Sequence, residues 1–297
     1  MPALARDLAA IHRLEFPFSV NYLCYATWGA AVAAGDPARL ADPAVPAAVI
    51  ANLLLIVAAL ALNTAADTRT DTRHPERSAV AAALRRVGRR RVIGLATAEL
   101  AVALLLAGAV AAGTGRPMIL AAAVLAVVLQ VLYNLDPVRL KRRGLPGVVA
   151  FCAAVFVLPF LLAHWAVRPG VDPASWPVAG GLGILAVARM TLWSVPDRAA
   201  DTAAGLGTPA ARHGPAGAAA LSLTAFVTGL TLTGWGLWRQ YGLGWAVPLV
   251  TLQAWPASTA ATVLRHPHSP TDSWHLRHRA FPPATLAMIG MTVAPLT

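Results

Sequence analysis

Apolar residues dominate this chain in long unbroken runs, and the charged residues gather in the links between them. We read nine such runs, at about 18–35, 46–66, 92–113, 117–134, 147–165, 177–193, 216–237, 243–262 and 282–297. Most hold about 17 to 22 residues, enough for an α-helix rising about 1.5 Å per residue to cross a hydrocarbon core of about 30 Å. The first run lacks a small-residue cleavage site and has many successors, so it reads as a span rather than a signal peptide. The last is the shortest and the weakest. The pattern predicts an all-α, polytopic membrane protein with about nine transmembrane helices. It gives no sign of a second, soluble domain, so one domain is expected over residues 1–297.

Composition agrees. Of the 297 residues, 57% are hydrophobic and 12% charged, far less charge than a soluble domain of this size carries. The net charge of +11 would suit nucleic acid, but its distribution has another explanation. With nine spans the links alternate between two sides. One side carries Arg6, Arg13, the arginines between 69 and 91, the basic cluster of Arg139, Lys141, Arg142 and Arg143, and Arg198, Arg212, Arg265, Arg277 and Arg279. The other carries only Arg39, Arg116, Arg168 and Arg239. This bias makes the first side cytoplasmic and accounts for the basic residues through the lipid bilayer, leaving no call for nucleic acid. Cys24 and Cys152 both fall inside apolar runs, where they behave as small hydrophobes.

Against this background the carboxylates stand out. In "LNTAADTRTDTRHPERS", residues 62–78, Asn63, Asp67 and Asp71 recur at steps of four where the second run meets water. If the helix continues, the three side chains share one face, and two carboxylates a turn apart repel. A divalent cation is the usual compensation for oxygen-only ligands. A second pair, Asp197 and Asp201, lies in "RMTLWSVPDRAADTAAGLGTPAARHG", residues 189–214, again four apart and on the same predicted side. The chain has only 13 acidic residues, so two matched pairs on one side favour metal over the plainer reading of solvated carboxylates beside arginines. Two magnesium ions would neutralise them and keep open coordination for a diphosphate.

Taken in order, these motifs resemble those of the UbiA superfamily of intramembrane prenyltransferases. Asn63, Asp67 and Asp71 match its first motif, with Arg77 after it but Ser78 where Pro is usual. "YNLDPVRLKRRG", residues 133–144, is similar to the family's basic segment in Tyr133, Pro137, Arg139 and Lys141, and departs from it at Asn134 and Asp136. Asp197, Asp201, Gly205, Thr208, Arg212 and Gly214 match the second motif, and "RLEFP" weakly matches the segment before the first span. Trp193 and Ser194 stand where the family often has Lys-Asp, and Gly207 where it often has a cation.

The resemblance covers nearly the whole chain. It implies a helix bundle around a central cavity with a cytoplasmic cap, Mg2+ as cofactor, and a polyprenyl diphosphate as substrate. Asn63, Asp67, Asp71, Asp197 and Asp201 would ligate metal. Arg77, Arg139, Lys141, Arg189, Arg198 and Arg212 would bind diphosphate. Asn21, Tyr133, Asn134 and Trp193 would line the substrate cavity. The implied reaction is ionisation to an allylic cation and transfer to an aromatic or lipophilic acceptor. The alternative on the same scaffold is a terpene cyclase, kept open by the missing Lys and Asp. A transporter reading predicts polar groups near mid-membrane, whereas these motifs cluster at one water boundary.

Other polar signals have plainer readings beside them. Arg189 inside the sixth run needs a partner or a role. Glu99 in the third reads as a helix-to-helix hydrogen bond before any proton handling. His266, His268, His275 and His278 could bind zinc, but read better as a loop at the headgroups or over the site.

Overall fold

The computed structural model describes residues 3–67, 78–269 and 271–297. Among these residues there is no β-strand. The chain forms α1 (Ala3–Ile11), α2 (Phe18–Ala34), α3 (Ala44–Ala66), α4 (Ser78–Val87), α5 (Arg89–Thr114), α6 (Met118–Asn134), α7 (Leu145–Val167), α8 (Ser175–Ala203), α9 (Pro209–Arg265) and α10 (Pro282–Val293). Five of these, α3, α5, α7, α8 and α9, are long and apolar enough to cross a membrane; α6 and the segment beginning at α10 are shorter apolar helices. The chain is an integral membrane protein.

The expected runs coincide with helices, with three differences. α9 is continuous where two runs are expected, but its backbone turns out of helical geometry at Gly214 (φ 70°) and Gly242 (φ 76°). Only glycine adopts that conformation readily, and the second break falls in the link between the seventh and eighth runs. α7 contains a π turn at Ala153–Val157, just before Pro159, where the lost N–H of proline disfavours regular α-helical bonding. α1 and α4 are short amphipathic helices outside the apolar runs.

Helix neighbours close into a ring: α3 packs on α5, α5 on α6, α6 on α7, α7 on α8, α8 on α9, α9 on α10, α10 on α2, and α2 on α3. The outward faces of α5 and α6 expose Val102, Leu105, Val124 and Leu125, as expected of helices bathed in lipid. Inward polar groups bolt neighbours together. Asn52 of α3 donates to Ala26 O of α2 (3.1 Å) and Pro159 O of α7 (2.8 Å). Gln130 of α6 donates to Leu55 O (3.1 Å), and Ser222 of α9 to Ala188 O (2.9 Å). Such bonds matter where no water competes for them.

α1 lies against α4 and the end of α3. The Thr64 hydroxyl donates to Ile11 O (3.1 Å). Arg86 of α4 forks onto both oxygens of Asp7 (2.9 and 2.5 Å), and this bond holds the Asp7 carboxyl below the usual range. His12 meets Glu99 of α5 at 3.0 Å through Nε2 and Leu8 O at 2.8 Å through Nδ1. Burial works against charge on His12, yet the Glu99 carboxylate and the Leu8 carbonyl outweigh it and raise its pKa.

Candidate functional site

The first motif sits where α3 ends. α3 does not extend through it, as the four-step spacing suggests: the last helical residue is Ala66, and Asp67 caps the helix with its N–H still bonded to Asn63 O (2.9 Å). Asn63 and Asp67 nevertheless meet at one cation. Lys141 donates to Asn63 Oδ1 (3.3 Å) and pairs with Asp67 Oδ2. Arg139 stands 3.5 Å from Asp67 Oδ1 and donates to Ala66 O at the same distance. Asp67 is 1% exposed, and a carboxylate so buried persists as a charge only with such partners. Lys141 and Arg139 come from the turn that follows α6, held close to α3 by this contact.

The second motif belongs to the inner face of α8. Asp197 and Asp201 are 8% and 6% exposed, one helical turn apart. The Thr208 hydroxyl donates to Asp201 Oδ2 (2.9 Å). The Asp201 carbonyl accepts Leu206 N–H (2.8 Å), which folds the chain back after α8. The Ser194 hydroxyl accepts Ala210 N–H (3.1 Å) and donates to Thr191 O (2.6 Å), tying the start of α9 to α8.

Both motifs open on one cavity of about 550 Å³. At its polar end are Asn63, Lys141, Asp197, Asp201, Thr208 and Tyr133. Among the described residues no three His, Cys, Asp or Glu side chains form a single metal-sized group. The donor set fits magnesium: the Asn63 amide and the Asp197 and Asp201 carboxylates present oxygen to a space that admits further oxygen ligands, with Asp67 adjoining behind Lys141.

Away from the carboxylates the lining turns aromatic. Phe18 meets Trp193 edge-on (5.6 Å between ring centres), and Trp193 stacks on Phe281 (5.5 Å). Tyr133, at the polar end, packs on Phe151 (5.1 Å), and further in Tyr25 packs on Phe156 (4.3 Å). Arg189, also lining the cavity, donates to Gln253 Oε1 (3.0 Å), which gives this intramembrane charge its partner. At the rim, Arg277 pairs with Glu15 (3.4 Å) and lies over Phe18.

Of the residues expected in the site, the cavity gathers Asn21, Asn63, Tyr133, Lys141, Arg189, Trp193, Asp197 and Asp201. Asp67 and Arg139 adjoin it through Lys141 and each other. Asn134 is buried outside the lining and donates to Gln130 O (2.9 Å). Arg198 is exposed and away from the cavity. Arg212 is spent on Arg142 O (3.0 Å), which clasps the turn after α6 to the start of α9. Asp71 and Arg77 lie outside the described residues. Arg13, Glu15, Arg277 and Gln253 were not foreseen in the site; Arg13 and Glu15 lie in the weak "RLEFP" match, but Gln253 carries no sequence signal. In the histidine-rich loop Asp272 caps a short turn by accepting His275 N–H (2.6 Å).

A sequence model of the UbiA prenyltransferase family matches residues 22–280. No curated protein matches the sequence. Among solved structures, the chain is similar to a UbiA homolog from Archaeoglobus fulgidus bound to GPP and Mg2+, at 17% identity over 98% of this chain and 99% of that one, with a TM-score of 0.71. The same homolog bound to DMAPP and Mg2+ matches at 16% identity over 97% and 99%, with a TM-score of 0.70. A UbiA homolog from Aeropyrum pernix K1 matches at 20% identity over 94% and 97%, with a TM-score of 0.66. At such identities the likeness is one of fold.

Proposed function

Since the chain belongs to the UbiA prenyltransferase family, we propose that it is a magnesium-dependent intramembrane prenyltransferase, which ionises a prenyl diphosphate and passes the prenyl group to an aromatic or lipophilic acceptor. The whole chain acts as one domain. Nine helical spans, counting α9 as two, surround the cavity in the cell membrane, with the carboxylate end and its capping loops facing the cytoplasm. The carrying observation is the meeting of two distant acidic motifs at one cavity, the first through Asn63 with Asp67 behind Lys141 and the second through Asp197 and Asp201, while the rest of the lining is largely apolar and aromatic. The archaeal homolog of the same fold, bound to GPP and Mg2+, supports the choice of ligand class.

Asn63 and Asp67 on one side, and Asp197 and Asp201 on the other, would hold magnesium, with Asp71 joining them by its place in the first motif. The metal supplies positive charge that neutralises the carboxylates and draws electrons from the diphosphate oxygens. Lys141 and Arg139 stand at the same end to meet diphosphate oxygens, with Arg77 completing the set. Thr208 fixes the Asp201 carboxylate. The carbon–oxygen bond then breaks with its electron pair leaving on the diphosphate, and an allylic cation remains. Tyr133, Phe151 and Trp193 line this region, where the faces of aromatic rings would stabilise positive charge, and the apolar wall keeps water from quenching it. An electron-rich acceptor attacks the cation and loses a proton.

The same aromatic lining supports a second reading, a terpene cyclase, in which the chain's own double bond captures the cation. Purified protein in lipid nanodiscs with Mg2+ and a prenyl diphosphate tests both. A transferase releases diphosphate rapidly only with an aromatic acceptor. A cyclase releases it without one and yields a cyclic hydrocarbon or alcohol. Failure to bind or turn over any prenyl diphosphate refutes both.

A further inference from the structure

The inner extent of the cavity lining can be placed by helix positions. On α8 the lining runs from Asp201 and Asp197 through Trp193 and Met190 to Ala186. From Asp197 to Ala186 is about 16 Å along the helix axis at about 1.5 Å per residue. On the facing wall the lining stops at Tyr25 of α2 and Phe156 of α7, whose rings lie 4.3 Å apart between centres. The π turn of α7 spans Ala153–Val157 and so includes Phe156. One turn deeper a second ring pair, Trp28 and Phe160 (4.7 Å), is buried and outside the cavity.

At that level the helices are locked together. A Cβ on Gly29 would fall 1.9 Å from Phe160 O, so α2 and α7 are in backbone contact there, and only glycine permits it. Asn52 bridges the same layer, with one amide nitrogen donating to both Ala26 O and Pro159 O. Side chains in such close-packed layers do not yield cheaply to an extra group.

We infer that the Tyr25–Phe156 ring pair is the floor of the prenyl site and sets the length of chain the protein accepts. An isoprene unit adds four carbon–carbon bonds of about 1.5 Å to the chain, about 5 Å when extended. A depth of about 16 Å therefore holds about three units, a farnesyl-sized chain. Longer chains meet the rings, and behind them the Gly29–Phe160 contact. This inference rests on the proposed prenyl-diphosphate site, but concerns its length limit alone.

The test uses the full-length protein in nanodiscs with Mg2+ and geranyl, farnesyl, geranylgeranyl and octaprenyl diphosphate, scoring both binding and diphosphate release. The wild type is expected to take geranyl and farnesyl diphosphate, with octaprenyl diphosphate at least about tenfold poorer. Phe156→Ala should move the limit outward, raising geranylgeranyl over farnesyl diphosphate by about tenfold, and Phe156→Leu should do so in part if the alanine variant does not fold. Equal handling of farnesyl and octaprenyl diphosphate by the wild type would mean that the tail leaves sideways between helices, and overturns the floor alone. So does an unchanged length preference in a folded Phe156 variant. Binding of none of the four overturns the prenyl-diphosphate reading itself.

Discussion

Asp67 at the end of α3 and Asp201 on α8 belong to the same site, Asp201 in the cavity lining and Asp67 behind Lys141, and their surroundings differ. Asp67 is held by Lys141, 74 positions away, and by Arg139. Asp201 receives a hydroxyl from Thr208, seven positions on. One wall of the site thus carries a charged cross-link between distant segments, and the other a hydrogen bond between a helix and the turn that follows it. Removing a carboxylate from the first wall leaves two half-buried cations without this charged partner, whereas removing one from the second weakens the acceptor of a hydroxyl. Activity and stability should therefore respond differently on the two walls.

The largest expected effects share a sign in catalysis and part company in stability. Asp67→Asn and Asp201→Asn should each lower turnover by about a hundred- to a thousandfold, the scale of losing one electrostatic element of a site. Asp67→Asn should also cost about 3 kcal/mol, because Lys141 and Arg139 lose their buried partner. Asp201→Asn should cost about 1 kcal/mol, the worth of one hydrogen bond. Diphosphate release and thermal denaturation of the same preparations measure both. Equal destabilisation by the two variants would erase the contrast.

Next comes the cation. Lys141→Met should destabilise by about 3 kcal/mol and, in combination with Asp67→Asn, by clearly less than the sum, with a coupling of about 2 kcal/mol. Additive losses would mean that the pair is not a unit. Lys141→Arg tests shape as well as charge: a planar guanidinium does not replace an ammonium lodged between Asn63 and Asp67. On the other wall, Thr208→Val should cost about 1 kcal/mol and lower turnover about tenfold, an order of magnitude or more less than loss of the Asp201 carboxylate.

How legible this contrast was in the sequence follows from its physics. Helices in lipid must satisfy every backbone group internally, so they announce themselves as apolar runs; α2, α3 and α5 through α10 fall where such runs lie. The aspartate spacing drew attention to both motifs because carboxylates are scarce in this chain, 13 in all. A helix that is apolar on every side has no polar stripe to mark its inward face, so the ring pairs Tyr25–Phe156 and Trp193–Phe281 could not be read from spacing. Pairing across long separations was equally hidden: Lys141 stood out as a phosphate ligand, but nothing in its neighbourhood ties it to Asp67. The stop of α3 at Ala66 was obscured because Asn63 and Asp67 remain neighbours whether or not the helix continues, the Asp67 N–H bonding to Asn63 O either way.

The smallest expected effect lies behind the first wall, where α1 is fastened by two ionic contacts of opposite pH response. Asp7, with its pKa lowered by Arg86, contributes stability that is present above the unfolded carboxylate value of about 3.9 and is lost as the pH falls through the folded value. His12, with its pKa raised on balance by Glu99 and the Leu8 carbonyl against the effect of burial, contributes stability that is fully present below about pH 6.5 and disappears as the pH rises through the folded pKa. Between pH 5 and 8, therefore, the Asp7 contact stays constant while the His12 contact fades. The wild type should lose about 1 kcal/mol over that range relative to His12→Gln, which keeps a neutral donor opposite Glu99. Thr64 ties α1 directly to the end of α3, so hydrogen exchange at α1 amides should quicken with pH in the wild type beyond the intrinsic chemical rate, and α8 amides should not follow. A matching change on α8 would mean that the two walls move as one body, and that the contrast drawn between them is confined to chemistry rather than to how each wall is anchored.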